Sequence, residues 1–457
     1  MAPEKGLFLL PGKGSERLKY DTSIKGLLGQ VVHFSSTMMI ATMIGMIQGI
    51  LVLKLVPPSI YGIWASLTLI LEYGIYFHLG LINGMERAIP FFRGKGEDKK
   101  ADAVAGASKF NLMVLFVAGA IIIGFLVLLP GRSWRSEIRV GIFFVGLSAL
   151  VFLGTQYYMA LLKVNQRFKQ VGYIQLIIQI SMAICLILIW KLGFFGLCIR
   201  AVLTAIIGLG FASILASSPH KARFNAPMTA YLFRTGLPIM SVGAVMIVLF
   251  SFDRLIILSF LGTTLVGYYG ICMALLRMMN LFPMVVGQVF APVMAHTYGA
   301  TMSPRSLVKH AVRASALATA MSVAASGCLY FFIPFFVNRF LENYSYGIPS
   351  ARIVLLTGIM IAISVGPGFL LQTIMRQKEY FLVILATAAG IWAFSIWFLS
   401  RGLDLTGVAW SLTAGYFIHA AGLWIYVYVF CRREKKGTFC VEKKIVEADI
   451  PFSFPEP

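Results

Sequence analysis

Long apolar stretches separated by short polar segments make up most of this chain. A helix needs about 20 apolar residues to cross a bilayer, and twelve stretches are long enough. The predicted spans are residues 27–53, 59–82, 106–129, 140–162, 171–190, 194–216, 237–261, 265–290, 312–336, 351–374, 380–399 and 405–430. The pattern predicts an all-α polytopic membrane protein with about twelve transmembrane helices.

The largest polar break near the middle, residues 217–236, divides these spans into two sets of six. The first span ends in Leu55-Val-Pro-Pro-Ser-Ile-Tyr61-Gly62, and the seventh ends in Leu261-Gly-Thr-Thr-Leu-Val-Gly267-Tyr268, an offset of 206 residues. This short repeat, together with the span count, predicts two pseudo-symmetric lobes of six helices, as in many transporters. We expect a basic N-terminus at 1–26, lobes at 27–216 and 237–430, a linker at 217–236 and a tail at 431–457.

The net charge of +21 is informative because of where the basic residues lie along the chain. Of the 39 Lys and Arg residues, 27 fall on the side that holds both termini, 7 on the opposite side and five within or at the edges of spans. Basic residues accumulate on the cytoplasmic side of membrane proteins. We therefore expect both termini in the cytoplasm, a first span that is retained rather than cleaved, and attraction to membrane lipids rather than to nucleic acid.

Catalytic and metal-binding patterns are missing from the sequence. The six cysteines are scattered without a C-x-x-C pair, which predicts neither a disulfide framework nor a metal site. No loop on the outer side exceeds about 14 residues, and its only carboxylates (Glu137, Glu342 and Asp404) are far apart in the sequence. There is no G-x-x-x-x-G-K-[ST] phosphate loop. The sequence predicts a transporter rather than an enzyme, and one without a cofactor.

Short motifs at the turns resemble the polysaccharide repeat-unit flippases of the multidrug/oligosaccharidyl-lipid/polysaccharide exporter superfamily. Those flippases commonly end their first helix in a basic residue, Leu, Pro and Tyr-Gly, which compares with Lys54-Leu-Val-Pro57-Pro58-Ser-Ile-Tyr61-Gly62. Their second helix ends in Asp-Leu-Gly-Leu and then Arg; this chain has His78-Leu79-Gly80-Leu81 and Arg87. Their seventh helix carries Asp and is followed by a Leu-Gly turn and Gly-Tyr-Tyr; Asp253, Leu261-Gly262 and Gly267-Tyr268-Tyr269 fit this pattern.

This resemblance implies a substrate, a location and partners. The substrate would be an undecaprenyl-pyrophosphate-linked oligosaccharide, moved from the cytoplasmic to the outer leaflet of the inner membrane by alternating access. The implied partners are a polysaccharide polymerase and glycosyltransferases. His78 stands where the family favours Asp, so an ion-coupling role does not carry over directly to this position.

Cations within or beside the spans are the candidate ligands for the pyrophosphate, because the planar guanidinium group can donate two parallel hydrogen bonds to phosphate. At 1.5 Å rise per residue, Arg254 lies roughly 10 Å and Arg277 roughly 18 Å below the outer ends of their helices. The predicted substrate-binding residues are Arg277, Arg254, Arg200, Lys54 and Arg87. Four of them have a structural alternative: ion pairing or helix packing for Arg254, snorkelling for Arg200, and topological anchoring for Lys54 and Arg87. Arg277 is deeper and has no carboxylate at helical spacing in its own helix.

Glu72, Asp253 and His78 are candidates for ion coupling or counter-charge, and Glu72 lies at a depth similar to that of Arg277. Five polar residues of the fourth and fifth spans could contact sugar hydroxyls, although ordinary contacts between helices explain them as well; these are Gln156, Tyr157, Tyr158, Gln175 and Gln179.

Two other function classes stay open at this point. A multidrug or cation antiporter of the same superfamily should carry a net acidic charge within its spans, whereas the deep charges here (Glu72, Asp253, Arg254 and Arg277) favour an anionic substrate. A membrane polymerase or acyltransferase would need paired catalytic carboxylates, which the short outer loops lack.

Overall fold

The computed structural model describes residues 24–128, 136–217, 220–301, 303–374 and 376–435. Within these residues every regular element is helical. The helices are α1 (Ile24–Leu55), α2 (Pro58–Gly74), α3 (Leu81–Gly94), α4 (Asp98–Leu128), α5 (Ser136–Val164), α6 (Phe168–Ile184), α7 (Leu186–Leu192), α8 (Phe194–Ala216), α9 (Ala226–Phe260), α10 (Thr263–Tyr268), α11 (Gly270–Met279), α12 (Leu281–Thr301), α13 (Pro304–Phe340), α14 (Ile348–Thr373), α15 (Gln377–Ser400) and α16 (Leu405–Lys435). Short 3-10 turns lie at Ile75–His78 and Glu342–Gly347.

The helices confirm the predicted membrane architecture. Eleven segments of the described chain are long and apolar enough to cross a membrane, and α9 is a twelfth when its two parts, bent by 42° between Val245 and Ile247, are taken as one span. Helices suit this environment because each satisfies its own backbone hydrogen bonds where no water is available. The predicted N-terminal segment up to residue 23 and the tail from residue 436 lie outside the described residues.

The chain forms two compact units. Of the described residues, unit 1 contains those within 24–48 and 70–243, and unit 2 contains those within 49–69 and 244–435. Residues of α1, of the second span and of α9 are therefore divided between the units. The sequence predicted different boundaries, with residues 217–236 between two lobes. The division into two units does not test those lobe boundaries, which stay a prediction.

Unit 1 is built on the packing of α5 against α8, with α3 against α4 and α6 against α8. Its core includes Leu162, Ile174 and Ala212, which are fully buried. By contrast, only 11% of the apolar window of α4 is buried, so most of this helix is available to lipid.

Unit 2 is organised around α14, which packs against α13, α16, α11 and α12. In the span that contains α14, 56% of the apolar window is buried, compared with 22% for α13 and α15. Gly366 permits this close packing, since an added Cβ there would lie 2.0 Å from the Ala311 carbonyl oxygen. Small residues at such positions are what allow membrane helices to approach closely.

Pro367 lies inside α14 without ending the helix. Proline has no backbone N–H, so the carbonyl group four residues earlier loses its helical partner. That carbonyl, on Ile363, instead accepts hydrogen bonds from Ser315 Oγ at 2.8 Å and Trp424 Nε1 at 3.0 Å. Side chains of α13 and α16 thus replace the missing helical bond and fix both helices to α14.

Candidate functional site

Arg277 is a predicted phosphate ligand that lies within a membrane span and is exposed in the structure. It lies in the last turn of α11, and its side chain is exposed. Among the described residues it has no hydrogen-bond or ion-pair partner, although the negative end of the α11 dipole favours a cation there. A guanidinium inside a span and without a protein partner is available to an anionic ligand.

Asp253 and Arg254 lie in the core of unit 2, where their side chains are only 2% and 7% exposed. The backbone N–H of Arg254 donates to Asp253 Oδ1 at 2.8 Å. Tyr269, Cys272 and Tyr416 lie within electrostatic range of the carboxylate. These surroundings suit the counter-charge role predicted for Asp253, and they make Arg254 less accessible to a large substrate than Arg277.

Arg200 is buried in unit 1 and tied to neighbouring helices. Its Nη2 donates to Gln48 Oε1 at 2.6 Å and its Nε donates to the Met182 carbonyl at 2.9 Å. Gln48 in turn donates from Nε2 to the Gln179 carbonyl at 2.8 Å. The guanidinium therefore connects α8 with α1 and α6. This geometry favours a packing role over the predicted substrate contact.

Three further candidates have settings that agree with their predicted positions near or within spans. Lys54 is exposed, with its Nζ 5.8 Å from the centre of the Phe340 ring, a cation–π distance. Arg87 is exposed on α3. Glu72 is half-buried in the part of α2 that belongs to unit 1, whereas Arg277, predicted at a similar depth, belongs to unit 2.

His78 stabilises a break in the second span. Leu79 and Gly80 have positive φ angles of 50° and 84°, which interrupt the helix before α3 begins. The buried imidazole accepts the Gly80 N–H at Nδ1 over 3.0 Å. A carboxylate at this position could accept the same bond, which gives a physical reason why His can stand where the related flippases favour Asp.

Most of the polar residues considered as sugar contacts in the fourth and fifth spans bond to other parts of unit 1. The buried Tyr157 hydroxyl donates to the Ala105 carbonyl at 3.0 Å, and Gln156 reaches the Ile75 carbonyl at 3.5 Å. Gln175 and Gln179 contact Met159 and Gln48 respectively. The structure therefore favours the alternative of ordinary contacts between elements.

The two matching turns that suggested a repeat lie against each other in unit 2. A Cβ added at Gly62 would lie 1.8 Å from the Thr263 carbonyl oxygen, and one at Gly267 would lie 1.8 Å from the Pro58 carbonyl oxygen. The α2 and α10 backbones consequently touch, and the buried Tyr344 hydroxyl adds a hydrogen bond to the Val56 carbonyl at 2.8 Å.

Unit 2 contains a cavity that the sequence patterns did not predict. It has a volume of about 250 Å³ and lies among α9, α12, α14, α15 and α16 and the Asn280 junction. Its polar lining comprises Asn280, Ser364, Gln372, Tyr380, Tyr416 and His419. No motif joins these residues, because they come from separate spans. Only uncharged polar residues in otherwise apolar runs could have pointed to the cavity.

Several solved structures share this fold. A multidrug resistance MATE family transporter of the MOP superfamily, in an inward-facing conformation, gives a TM-score of 0.75 at 17% identity over 90% of this chain and 100% of that chain. The lipid II flippase MurJ, in an inward closed conformation, gives 0.69 at 15% identity over 87% of each chain. The chain is thus a multi-pass helical membrane protein with the fold of the MOP-superfamily transporters.

The sequence match is more specific than the fold. A model of the family described as "Polysaccharide biosynthesis protein" matches residues 51–324, more than half of the chain. This protein belongs to that family. No curated protein matches the chain in sequence. A further structural match, at 15% identity and a TM-score of 0.61, is a MOP-superfamily transporter from Pyrococcus furiosus described as having a binding pocket of reverse polarity; it covers 90% of this chain and 96% of that chain.

Proposed function

We propose that this protein moves an oligosaccharide linked to undecaprenyl pyrophosphate from the cytoplasmic to the outer leaflet of the cell membrane, by alternating access. Its family supplies the link to polysaccharide assembly. The MurJ match shows that this fold is used by a protein described as a lipid II flippase. Glycosyltransferases that build the oligosaccharide and a polymerase that extends it are the partners this role requires.

The single observation that carries the proposal is the exposed guanidinium of Arg277 within a transmembrane span. A charged residue at the centre of a membrane helix costs about 2.5–3.5 kcal/mol by insertion scales, so it is normally retained for a function. A pyrophosphate can accept the two parallel N–H bonds that this group offers. The oligosaccharide and its lipid would be positioned by other parts of the protein.

The test is complementation of a bacterial strain that lacks its repeat-unit flippase and displays a surface polysaccharide. The strain receives wild-type protein, Arg277→Ala or Arg277→Lys, with protein levels matched by immunoblot. Arg401→Ala is the control, because Arg401 is an exposed arginine packed on Trp397 at the end of α15. We expect Arg277→Ala to reduce surface polysaccharide at least about tenfold, since a hydrogen bond to a charged group contributes about 1.5–3 kcal/mol.

The Lys variant should retain part of the activity, because it keeps the charge and loses the bidentate geometry. Normal surface polysaccharide in the Ala variant would remove Arg277 from the proposed site. Failure of the wild type to complement any of several strains with different repeat units would count against the flippase function itself.

A cation antiporter is the second candidate, favoured by the fold shared with the MATE transporter. It predicts that expression raises resistance of a drug-sensitive strain to hydrophobic cations such as ethidium. Resistance that survives Arg277→Ala, together with no effect on surface polysaccharide, would favour this alternative.

A further inference from the structure

The cavity in unit 2 contains no charged side chain among its lining residues. Its walls combine apolar groups, among them Leu249, Phe250 and Ile361, with amides, hydroxyls and one imidazole. Ligand sites typically have this composition, in which mostly apolar walls hold a few placed polar groups. The absence of a lining carboxylate or guanidinium makes the cavity suited to a neutral polar ligand.

One wall of the cavity is aromatic and held in place. His419 is 4% exposed and lies edge-on to both tyrosines, with ring centres 6.0 Å from Tyr380 and 6.0 Å from Tyr416. Its Nδ1 lies 3.1 Å from Thr387 Oγ1, which fixes the orientation of the imidazole. These contacts position the three rings along one side of the cavity.

The polar groups along this wall have unused hydrogen-bonding capacity. The hydroxyls of Tyr380 and Tyr416 and the amide of Asn280 have no hydrogen-bond partner among the described residues. Tyr416 is itself only 5% exposed, so its hydroxyl is withdrawn from bulk solvent. Asn280 and Tyr380 are half-buried, and none of the three polar groups is a fully buried atom without a partner, so a ligand with several hydroxyl groups can reach them from the cavity.

We propose that this cavity, lined by Asn280, Tyr380, Tyr416 and His419, binds one neutral sugar ring of the transported oligosaccharide. The inference rests on the flippase function proposed above and assigns the sugar part of the substrate to a place. A sugar ring presents weakly positive C–H groups, which suit the negative face of an aromatic ring. Its hydroxyls donate and accept hydrogen bonds, as the amide and the tyrosine hydroxyls do.

The dimensions agree with a small ligand. The cavity of about 250 Å³ lies just below the range of about 300–1,000 Å³ that holds drug-sized ligands. It therefore accommodates a single ring rather than an oligosaccharide. A uronic acid or another charged sugar would bring an uncompensated charge against a neutral lining, which is unfavourable. Hexoses and N-acetylhexosamines are the class that fits.

Gly368 offers a way to fill the cavity without disturbing its walls. It lines the cavity, and an added Cβ would have as its nearest neighbour Tyr380 Cε2 at 3.8 Å, an ordinary contact. Gly368→Leu should occupy the space intended for the ring. Gly327→Leu is the matched control, because Gly327 is exposed on α13 of the same unit and its Cβ would meet nothing within 4 Å.

The experiment measures binding to the purified full-length protein in lipid nanodiscs by intrinsic fluorescence. The probes are undecaprenyl pyrophosphate without sugar, and the same lipid carrying N-acetylglucosamine, galactose or glucuronic acid. Wild type should bind at least one of the two neutral-sugar probes about fivefold more tightly than the sugar-free lipid, a difference of about 1 kcal/mol. Gly368→Leu and Tyr416→Phe should lose this increment yet bind the sugar-free lipid as wild type does, and Gly327→Leu should keep it.

The outcomes separate the two proposals. If wild type binds no probe, the flippase function falls and the sugar site falls with it. If wild type binds all four probes equally, or if Gly368→Leu and Tyr416→Phe both keep the preference for a neutral sugar, the sugar site is overturned and the flippase function stands. Preference for the glucuronic acid probe would likewise overturn the neutral site. Thermal unfolding of each variant in the nanodisc identifies any variant that is misfolded. If Gly368→Leu is misfolded, the result for Tyr416→Phe, which removes only one oxygen atom, decides whether the sugar site stands.

Discussion

Two arginines within membrane spans illustrate how differently this chain accommodates a cation. Arg200 is buried and donates to an amide and a carbonyl oxygen in unit 1. Arg277 is exposed and has no partner among the described residues. Since an unsatisfied buried donor is costly, the contacts of Arg200 are needed for the fold, whereas the exposed Arg277 makes no such contact among the described residues. The two residues should therefore respond differently to substitution.

Replacing Arg200 by Ala should lower stability more than transport. The change removes the guanidinium that bonds to Gln48 and to the Met182 carbonyl. Leaving such buried groups without a partner costs about 1–3 kcal/mol. We expect a lower unfolding temperature for the purified protein in detergent, and near-normal flippase activity per folded molecule. Lys191→Ala, at an exposed cation of α7, should leave the unfolding temperature unchanged. A stable Arg200→Ala protein with lost transport would instead support a substrate contact.

The sequence predicted the depth of these cations and could not predict their surroundings. Counting residues along a helix gives a height in the membrane, because the rise per residue is constant. It does not tell which neighbour faces the side chain, since Gln48 lies 152 positions from Arg200. The cavity escaped prediction for the same reason: Asn280, Tyr380 and His419 meet only after the helices of unit 2 have packed.

The first turns of α2 and the short helix α10, which belong to the two similar sequence segments, approach each other very closely in unit 2. This contact leaves no room for a side chain at Gly62 or at Gly267. Sequence comparison of the two turns detected their similarity, but the contact between them is a tertiary feature. The contact requires glycine at both positions for steric reasons, whether or not the similarity of the two segments has a meaning of its own.

Alanine at either turn glycine should prevent α2 and α10 from approaching. A Cβ at Gly62 or Gly267 would lie 1.8 Å from a backbone oxygen, and backbone cannot swing aside as a side chain can. We expect Gly62→Ala and Gly267→Ala to reduce the yield of monodisperse protein in size-exclusion chromatography. Gly210→Ala is the control, since a Cβ there meets nothing within 4 Å and alanine favours a helix by roughly 0.5–1 kcal/mol. Equal yields from all three variants would show that the contact is dispensable.

The polar segment that follows the sixth span is attached to unit 1. The backbone N–H of Arg223 donates to the Gly106 carbonyl at 3.3 Å, and Lys109 Nζ donates to the His220 carbonyl at 3.3 Å. His220 Nδ1 also lies 3.6 Å from Asp102 Oδ1. Residues 220–225, part of the predicted linker at 217–236, are therefore docked on α4.

Docking of this segment should weaken in mild acid. Burial lowers the pKa of His220; the Asp102 carboxylate opposes this, and the cations Arg93 and Lys109 add to the lowering. An undocked histidine takes up a proton near pH 6.5, whereas the docked one does so only at lower pH. The docking free energy is therefore complete above about pH 6.5 and declines as the pH falls through that value.

Hydrogen exchange of residues 220–225 between pH 5 and 7.5, corrected for the intrinsic exchange rate, measures this docking. Protection should fall on acidification in wild type and should be independent of pH in His220→Gln, which cannot take up a proton. Increased protection in acid would mean that the attraction of Asp102 for the protonated imidazole outweighs the effect of burial.

At the scale of the whole molecule, hydropathy was sufficient to predict the architecture. Each span must satisfy its own backbone and expose apolar side chains to lipid, so membrane helices are visible one at a time in the sequence. The division into two compact units was harder to predict, because it depends on packing between helices. Within the eighth span, α11 ends at Met279 and α12 begins at Leu281. Met279 is the residue whose carbonyl group lacks a helical partner, because Pro283 has no backbone N–H.

The distribution of basic residues makes a testable prediction for the whole chain. With 27 Lys and Arg residues on the side of the termini and 7 on the other, both ends should lie in the cytoplasm. Green fluorescent protein, which fluoresces only when folded in the cytoplasm, should be bright when fused after Pro457. Alkaline phosphatase, which is active only outside the cytoplasm, should be active when fused after Leu403, in the short loop between α15 and α16. The reverse pattern of reporter activity would show that the protein has the opposite orientation in the membrane. The basic loops would then lie on the outer surface, where they could not contribute to the proposed loading of a pyrophosphate-linked substrate from the cytoplasm.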